Sequence, residues 1–253
     1  MKVSLITVCY NSERYISSAI ESVLAQDYPA IEYIIVDGKS TDNTIFKVKS
    51  YETAFAGRLR WLSEPDQGIY DAINKGIRMA SGDIVGILNS DDFYHYPTCI
   101  ATVVDVFEAA GMDACFADVR YVNPNNLDKT VRYYSSGQFH PKKFRWGFMP
   151  AHPTFFVRKK FFDELGYYKT DYRIAADYEL LIRFLYTHKL TYTYIPLDMI
   201  KMRTGGISTR SLKSNYILNK EIVRGCKENG IYTNMFLLSF KYFRKFLELV
   251  CTQ

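Results

Sequence analysis

Within residues 1–92, short β-branched runs alternate with longer amphipathic segments, and that alternation is what most restricts the fold. "VSLITV" (3–8), "IEYIIVD" (31–37), "LRWLSE" (59–64) and "DIVGIL" (83–88) read as strands. Between them, "ERYISSAIESVLAQ" (13–26) puts Ile16, Ala19, Ile20, Val23 and Leu24 at helical spacing. "GIYDAINKGIRMASG" (68–82) does the same with Ile69, Ala72, Ile73, Ile77 and Ala80. Thr41, followed by Asp42 and Asn43, caps a helix running toward Phe55, and Pro97 opens another that reaches about Ala110. Strand, helix, strand at this spacing means right-handed βαβ units and an α/β fold with a mostly parallel central sheet flanked by helices.

Ligands on such sheets bind beyond the carboxyl ends of the strands. The polar residues stand there: Tyr10 and Asn11 after the first strand, Asp37 after the second, Asp66 and Gln67 after the third, Asn89 to Asp92 after the fourth. The last group is the most pointed. "GILNSDDFY" (86–94) ends an apolar strand on two adjacent carboxylates, which repel each other and resist unpaired burial. A cationic partner is expected.

The second half is more mixed. "DACFADVRYV" (113–122) is strand-like, and residues 123–150 read as turns and a hairpin. "PTFFVRKKFFDELG" (153–166) is a strand leading into a short helix, and "AADYELLIRFLYTHK" (175–189) is a helix. "LTYTYIP" (190–196) and "DMIKMR" (198–203) read as two strands, followed by a loop, "TGGIST" (204–209).

Charge divides the chain unequally. From Arg210 onward there are eight basic residues against three acidic, which accounts for the whole net charge of +5. The expected division is therefore 1–209 as the main α/β domain and 210–253 as a basic, amphipathic helical extension. In "MFLLSFKYFRKFLELV" (235–250) the polar residues fall at 241, 244, 245 and 248, a narrow basic stripe on an apolar helix. Such a helix can lie on an anionic membrane surface, or dock on the main domain or on a second subunit. Five cysteines without a CxxC pair suggest neither a disulfide framework nor a zinc site, and fit a reducing compartment. The run before Asn11 is too short for a signal peptide, and no run is long enough to span a bilayer. A cytoplasmic protein, peripheral on the cytosolic face of the inner membrane if the tail binds lipid, is the expectation.

Several segments together resemble family 2 glycosyltransferases, especially the members acting in bacterial surface-polysaccharide assembly. They are "SLITVCYNSERYISSAIESVLAQDYPAIEYIIVDGKSTDNT" (4–44), "SEPDQGIYDAINKGIRMASGDIVGILNSDD" (63–92), "RIAADYELLIRF" (173–184) and "MRTGGIS" (202–208). The resemblance implies a GT-A fold, a nucleotide-sugar donor, a divalent cation (Mn2+ or Mg2+) and inversion at the anomeric carbon. It implies donor contacts at Thr7, Tyr10, Asn11, Asp37, Asp66, Asn74, Asn89, Ser90, Asp91 and Arg203, and metal contacts at Asp91 and Asp92. Asp91 matches the second acid of the DxD pattern, and Asn89 replaces the first. Asp177 matches the catalytic base, with Ala176 where Glu is common. His152 is an acceptor-site residue or a hydrogen-bonded structural one.

Each of these residues has a plainer reading beside it. Asp37 also suits an Asx turn, Tyr10 core packing and Asn74 a structural contact. Asp177 near a helix N-terminus stabilises the helix dipole, and Arg203 with "GGIST" is either a diphosphate contact beside a mobile flap or an ordinary turn.

The implied activity is transfer from a UDP-sugar, or a GDP- or dTDP-sugar, to a glycan or lipid-linked saccharide in polysaccharide biosynthesis. A non-catalytic nucleotide- or sugar-binding relative is the alternative, given Asn89 and Ala176. A nucleotidyltransferase or a dinucleotide enzyme would need glycines after the first strand, and "TVCYNSERY" has none. Nucleic acid is not an expected partner, since the basic tail lacks a companion domain.

Overall fold

The computed structural model describes residues 1–205 and 212–240. Strands β1 (Val3–Cys9), β2 (Ile31–Asp37), β3 (Leu59–Ser63) and β4 (Ile84–Ile87) alternate with helices α1 (Ile16–Leu24), α2 (Thr44–Ser50) and α3 (Ile69–Met79). After them come β5 (Phe93–Tyr94), α4 (Cys99–Ala110), and the hairpin β6 (Ala114–Asn123) and β7 (Asn126–Tyr134). β8 (Phe156–Arg158), α5 (Lys160–Leu165), α6 (Ala176–Ile182), β9 (Tyr192–Arg203) and α7 (Leu212–Glu228) follow. Among the described residues the strands form one sheet in the order β3-β2-β1-β4-β8-β6-β9-β5, with β7 paired to β6. β1 to β4 are mutually parallel, as the alternation requires, and β8 joins them antiparallel.

Helices cover both faces. On one, Ile6, Ile34 and Val36 pack with Ile73 and Ile77 of α3, and this layer continues through Leu180 and Leu181 of α6 to Ile222 and Cys226 of α7. On the other, Leu5, Tyr33 and Ile35 meet Ile20 and Val23 of α1 and Val103 and Phe107 of α4. β1 and β2 are buried along their whole length, which explains their unbroken apolar runs. Gly86 lets β4 pass under the Phe156 ring, since a Cβ there would lie 2.3 Å from it.

Most expected elements are found within a few residues of their sequence limits. Residues 190–203 differ: the two expected strands are one, β9, with a register shift against β6 where Pro196 interrupts the ladder. The α6 helix also ends earlier than its apolar pattern, passing at Arg183–Thr187 into one wider turn. The cap of α2 comes from Asp42, which accepts from the Thr44 N–H at 3.0 Å, rather than from Thr41. Most of the "TGGIST" loop and the basic stripe after residue 240 lie outside the described residues. Cys9, Cys99, Cys115 and Cys226 are free and buried. Among the described residues no helix is long and apolar enough to cross a membrane.

The base of the parallel sheet is tied by one buried acid. Glu32, 5 % exposed, accepts from Ser4 Oγ at 2.7 Å, from Ser81 N and Oγ at 2.9 Å each, and from Arg60 at 3.1 Å. Burial opposes its ionisation, but the hydrogen bonds from Ser81, Ser4 and Arg60 outweigh it and hold the carboxyl down at about 2. Glu32→Ala is expected to cost about 2 kcal/mol in denaturant unfolding at neutral pH. The folded pKa is depressed, so this contribution is complete above the ordinary value of roughly 4.3 and is lost as pH falls toward the folded one. An unchanged unfolding midpoint at pH 7 would refute it.

Candidate active site

The carboxyl ends of β1 to β4 open onto one crevice, and its loops are held by side chains that fold back on the backbone. The loop after β2 is closed by Asp37, which is fully buried. Its carboxylate accepts from Ser40 N at 2.9 Å, Ser63 Oγ at 2.6 Å and the Ser40 hydroxyl. The turn-closing role is thus realised, and the protein itself occupies the oxygens expected to meet a nucleotide. Asn11, at φ 48°, ties the β1 loop to the same segment by accepting from Thr41 N at 2.9 Å. Lys39 sits at φ 64°, in the left-handed region that favours glycine.

Gly38 brings the next two residues together. A Cβ on it would lie 2.4 Å from Asp66 Oδ2 and 3.5 Å from the Tyr10 ring. Tyr10 is 63 % exposed, so its ring is free of the core and available for stacking. Asp66 accepts from Gly68 N at 2.9 Å through its other oxygen and thereby sets the start of α3. Tyr10, Gly38 and Asp66 line one side of the crevice.

The acidic pair lies after β4. The turn closes through Asp92 N donating to Asn89 O at 3.1 Å, and Asn89 Nδ2 donates to the Asp92 carboxylate at 2.8 Å. Ser90 and Ser12 share a hydrogen bond of 3.0 Å across to the β1 loop. Asp92 is 1 % exposed, whereas Asp91 is half-buried. Burial first, and the Asp91 charge second, push the Asp92 carboxyl well above the usual carboxylate range. No hydrogen bond among the described residues reaches the Asp91 carboxylate, which leaves it as the group able to face a ligand.

Arg203 supplies a cation at this turn. It is 7 % exposed and stacks between Tyr15 and Phe93, 4.8 Å from each ring centroid. The guanidinium donates to the Asp91 carbonyl and, at 3.0 Å, to Ser18 Oγ. It therefore clamps the turn, with both faces of the guanidinium covered by rings and two of its N–H groups bound within the protein.

Two further expected site residues have buried side chains with partners inside the protein. Thr7 is fully buried and accepts from Tyr33 at 2.9 Å, so its side chain belongs to the core. Asn74, 3 % exposed, donates to Tyr168 O at 2.8 Å and accepts from Tyr168 N at 3.0 Å, so both ends of its amide brace that loop.

Asp177 stands in the first turn of α6, half-buried. It accepts from Tyr178 N at 2.8 Å and meets Tyr70 Oη at 3.5 Å. Tyr70 is the second residue of α3, so the helix that starts beside Asp66 also reaches Asp177. His152 shares a 2.7 Å hydrogen bond with Tyr168, whose ring stacks on Tyr70. Burial lowers the pKa of His152, so the imidazole is neutral at pH 7, and burial raises the pKa of Asp177. Glu179, 1 % exposed, points elsewhere and pairs with Lys169 and Arg183. Gly38 and Tyr70 lie inside segments that carry the family resemblance but are not among the expected site residues, and Tyr168 lies outside those segments.

Do these residues fit a divalent cation? No group of three or more His, Cys, Asp or Glu among the described residues is arranged to hold one. A hard cation shared with a diphosphate needs only one or two protein carboxylates, the rest of its shell being phosphate and water. Asp91 offers an uncommitted carboxylate beside a second, buried acid whose ionisation it opposes, and a cation there would relieve that opposition. The residues fit.

Comparison with known proteins shows the family and agrees with the fold. The Glycosyl transferase family 2 model matches residues 4–166. An uncharacterized glycosyltransferase of Mycobacterium tuberculosis is 33% identical over 186 residues, covering 72% of this chain and 68% of its own. The crystal structure of Staphylococcus aureus TarS residues 1–349 with UDP-GlcNAc superposes with a TM-score of 0.69 at 18% identity, over 92% of this chain and 68% of that one. The mannosyltransferase PcManGT of Pyrobaculum calidifontis, in complex with GDP-Man and Mn2+, gives 0.62 at 16% identity, over 98% and 80%.

Removing the clamp should unsettle the whole turn. Arg203→Ala is expected to lower stability by about 3 kcal/mol, because the turn loses two hydrogen bonds from a buried cation and the packing of that cation between two rings. Arg203→Lys should recover little of this, since an ammonium cannot stack between two rings while donating in two directions. Thermal melts of the two variants decide it, and a wild-type melting temperature for Arg203→Ala would contradict the clamp.

Proposed function

The chain belongs to glycosyl transferase family 2, and on that footing we propose that it is an inverting, metal-dependent glycosyltransferase moving a sugar from a UDP-sugar to a glycan or lipid-linked saccharide. The observation that carries this reading is the pairing of two differently prepared carboxylates. Asp91 is uncommitted at the end of β4, and Asp177 is half-buried with a raised pKa, linked to the crevice through Tyr70 and α3.

In the donor half, Tyr10 stacks on the base, and Asp66 accepts from the nucleoside beside Gly38. Asn11, Asp37 and Ser90 shape that half by holding its loops. Asp91 would hold the cation, Mn2+ or Mg2+, with Asp92 as the buried acid behind it. When bound, the cation supplies charge neutralisation for the departing diphosphate. TarS with UDP-GlcNAc supports a uridine donor, and PcManGT with Mn2+ supports the metal.

Asp177 is the general base. It takes the proton of the acceptor hydroxyl as that oxygen bonds to the anomeric carbon, and the bonding pair to the diphosphate oxygen leaves with the nucleotide. The Tyr178 N–H and Tyr70 hydroxyl steady the carboxylate, and burial raises its basicity. His152 and Tyr168 border the acceptor side. The reading also makes 1–209 the catalytic domain and 210–253 an extension with a membrane-facing role. That role rests on its basic excess and on the exposed Tyr232 and Phe236, and it suits a lipid-linked acceptor at a cytosolic membrane face.

Calorimetric titration with UDP, GDP and dTDP, each with Mn2+ and with chelator, tests the donor half. UDP is expected to bind tightest, and chelator or Asp91→Ala should weaken it by about tenfold or more. Metal-independent binding by wild type would overturn the metal role of Asp91.

For the base, Asp177→Asn should lower turnover of a UDP-sugar by about a hundredfold or more while UDP affinity stays at the wild-type value. In wild type the rate should rise with pH through a value above the ordinary aspartate pKa of about 3.9, since the base must be ionised. Wild-type turnover in Asp177→Asn would remove it from the mechanism, and binding without any turnover in wild type would leave a sugar-nucleotide binder.

A further inference from the structure

The segment that delivers Asp177 is held from outside its own helix. Ala175, the N-cap of α6, provides no side-chain cap, and the segment leading into that helix is bound from α7 instead. Glu221 makes the contact. Its Oε1 accepts from Arg173 N at 2.7 Å, and its Oε2 accepts from Ile174 N at 2.8 Å and Ala175 N at 2.9 Å. One carboxylate thus gathers three successive N–H groups across a sequence separation of 46–48 residues. The same peptide is gripped from its other side, where Tyr70 donates to the Ile174 carbonyl and reaches Asp177. Asp177 follows two residues after the last of these N–H groups.

Glu221 is itself fixed. The neighbouring Ile222, and Cys226 further along α7, are buried, and a Cβ on Gly225 would touch Glu179 of α6 at 3.4 Å. Two turns further on, Glu228 binds Lys169 at 2.7 Å and Tyr172 Oη at 2.9 Å. α7 therefore has two anchoring acids. Glu228 holds the helix to the segment before residue 173, and only Glu221 touches the backbone that leads into Asp177.

We propose that Glu221 is a positioning residue for the base: by fixing the 173–175 backbone it holds the Asp177 carboxylate in its half-buried place against Tyr70. This rests on Asp177 being the base. It assigns a catalytic duty to a helix outside residues 4–166, where the family match lies. Loss of the clamp would let α6 fray at its first turn, which hydrates Asp177 and moves its oxygen off line without touching the donor crevice.

The test compares full-length Glu221→Gln, Glu228→Gln and Asp177→Asn with wild type. Glu221→Gln keeps the side-chain size but turns one acceptor into an NH2 group that faces a backbone N–H. Its kcat should fall at least about tenfold, donor KM and UDP affinity should stay at wild-type values, and the acidic limb of the pH profile should move to lower pH as Asp177 gains water. Glu228→Gln should lower the melting temperature yet keep the wild-type kcat and pH profile, so that general loosening of α7 is told apart from positioning. Glu221→Asp, which keeps the charge, should show a smaller loss of kcat and guards against a glutamine variant that does not fold. Wild-type kcat and pH limb in both Glu221 variants, with Asp177→Asn inactive, would overturn the inference alone. An equal fall of kcat in Glu228→Gln would also overturn it. Wild-type turnover in Asp177→Asn would overturn both this inference and the assignment of the base.

Discussion

Two carboxylates at the end of a buried strand create the strain that the rest of the site answers. Asp92 is buried beside Asp91, and the resulting charge must be balanced or neutralised. The protein answers part of it internally: Asn89 donates to Asp92, and Arg203 lies beneath the turn between Tyr15 and Phe93. What remains is the Asp91 carboxylate, a residual negative charge at the mouth of the crevice, suited to a cation that arrives with a diphosphate. Arg203 ends β9, so the turn after β4 is complete only when the second half of the chain has joined the sheet. The donor crevice is in this sense a product of both halves.

The same economy of partners recurs around the crevice. Asp37, Asn11 and Ser90 bind neighbouring loops, and the loops in turn leave Tyr10 and Asp66 facing outward beside Gly38. α3 then links the Asp66 loop to the Asp177 segment. Its first turn is set by Asp66, its second residue touches Asp177, and Asn74 braces the Tyr168 loop that stacks on Tyr70. A rigid helix spanning the two segments lets the two carboxylates keep a fixed relation without contact between them. α7 extends this principle by holding the backbone ahead of Asp177 from beyond the sheet.

The parallel half of the fold was legible because burial leaves a local record. Unbroken apolar runs in β1 and β2, and helical spacing in α1 and α3, reflect which faces are dry, and the polar residues at the four strand ends marked the crevice. The acidic pair was legible for a similar reason, since adjacent charges after an apolar run have no comfortable structural use. The fusion of two expected strands into β9 was not, because Pro196 reads locally as a break and only pairing with β6 carries the strand through it.

By itself, then, the sequence determined the α/β architecture and the family to which the chain belongs. It could not decide which polar residues find a partner within the protein. Thr7, Asn74, Asp37 and Arg203 match the family pattern as well as Asp91 does, yet each is engaged by a partner within the protein. Those partners lie as little as three residues away for Asp37 and as much as 185 for Arg203. Nor could it show that Glu221 caps the segment before Asp177, because a hydrogen bond between remote segments leaves no periodicity in either. Hydrophobic burial repeats along the chain and can be read there. The pairing of individual polar groups depends on where the folded chain brings them, and only the tertiary structure decides that.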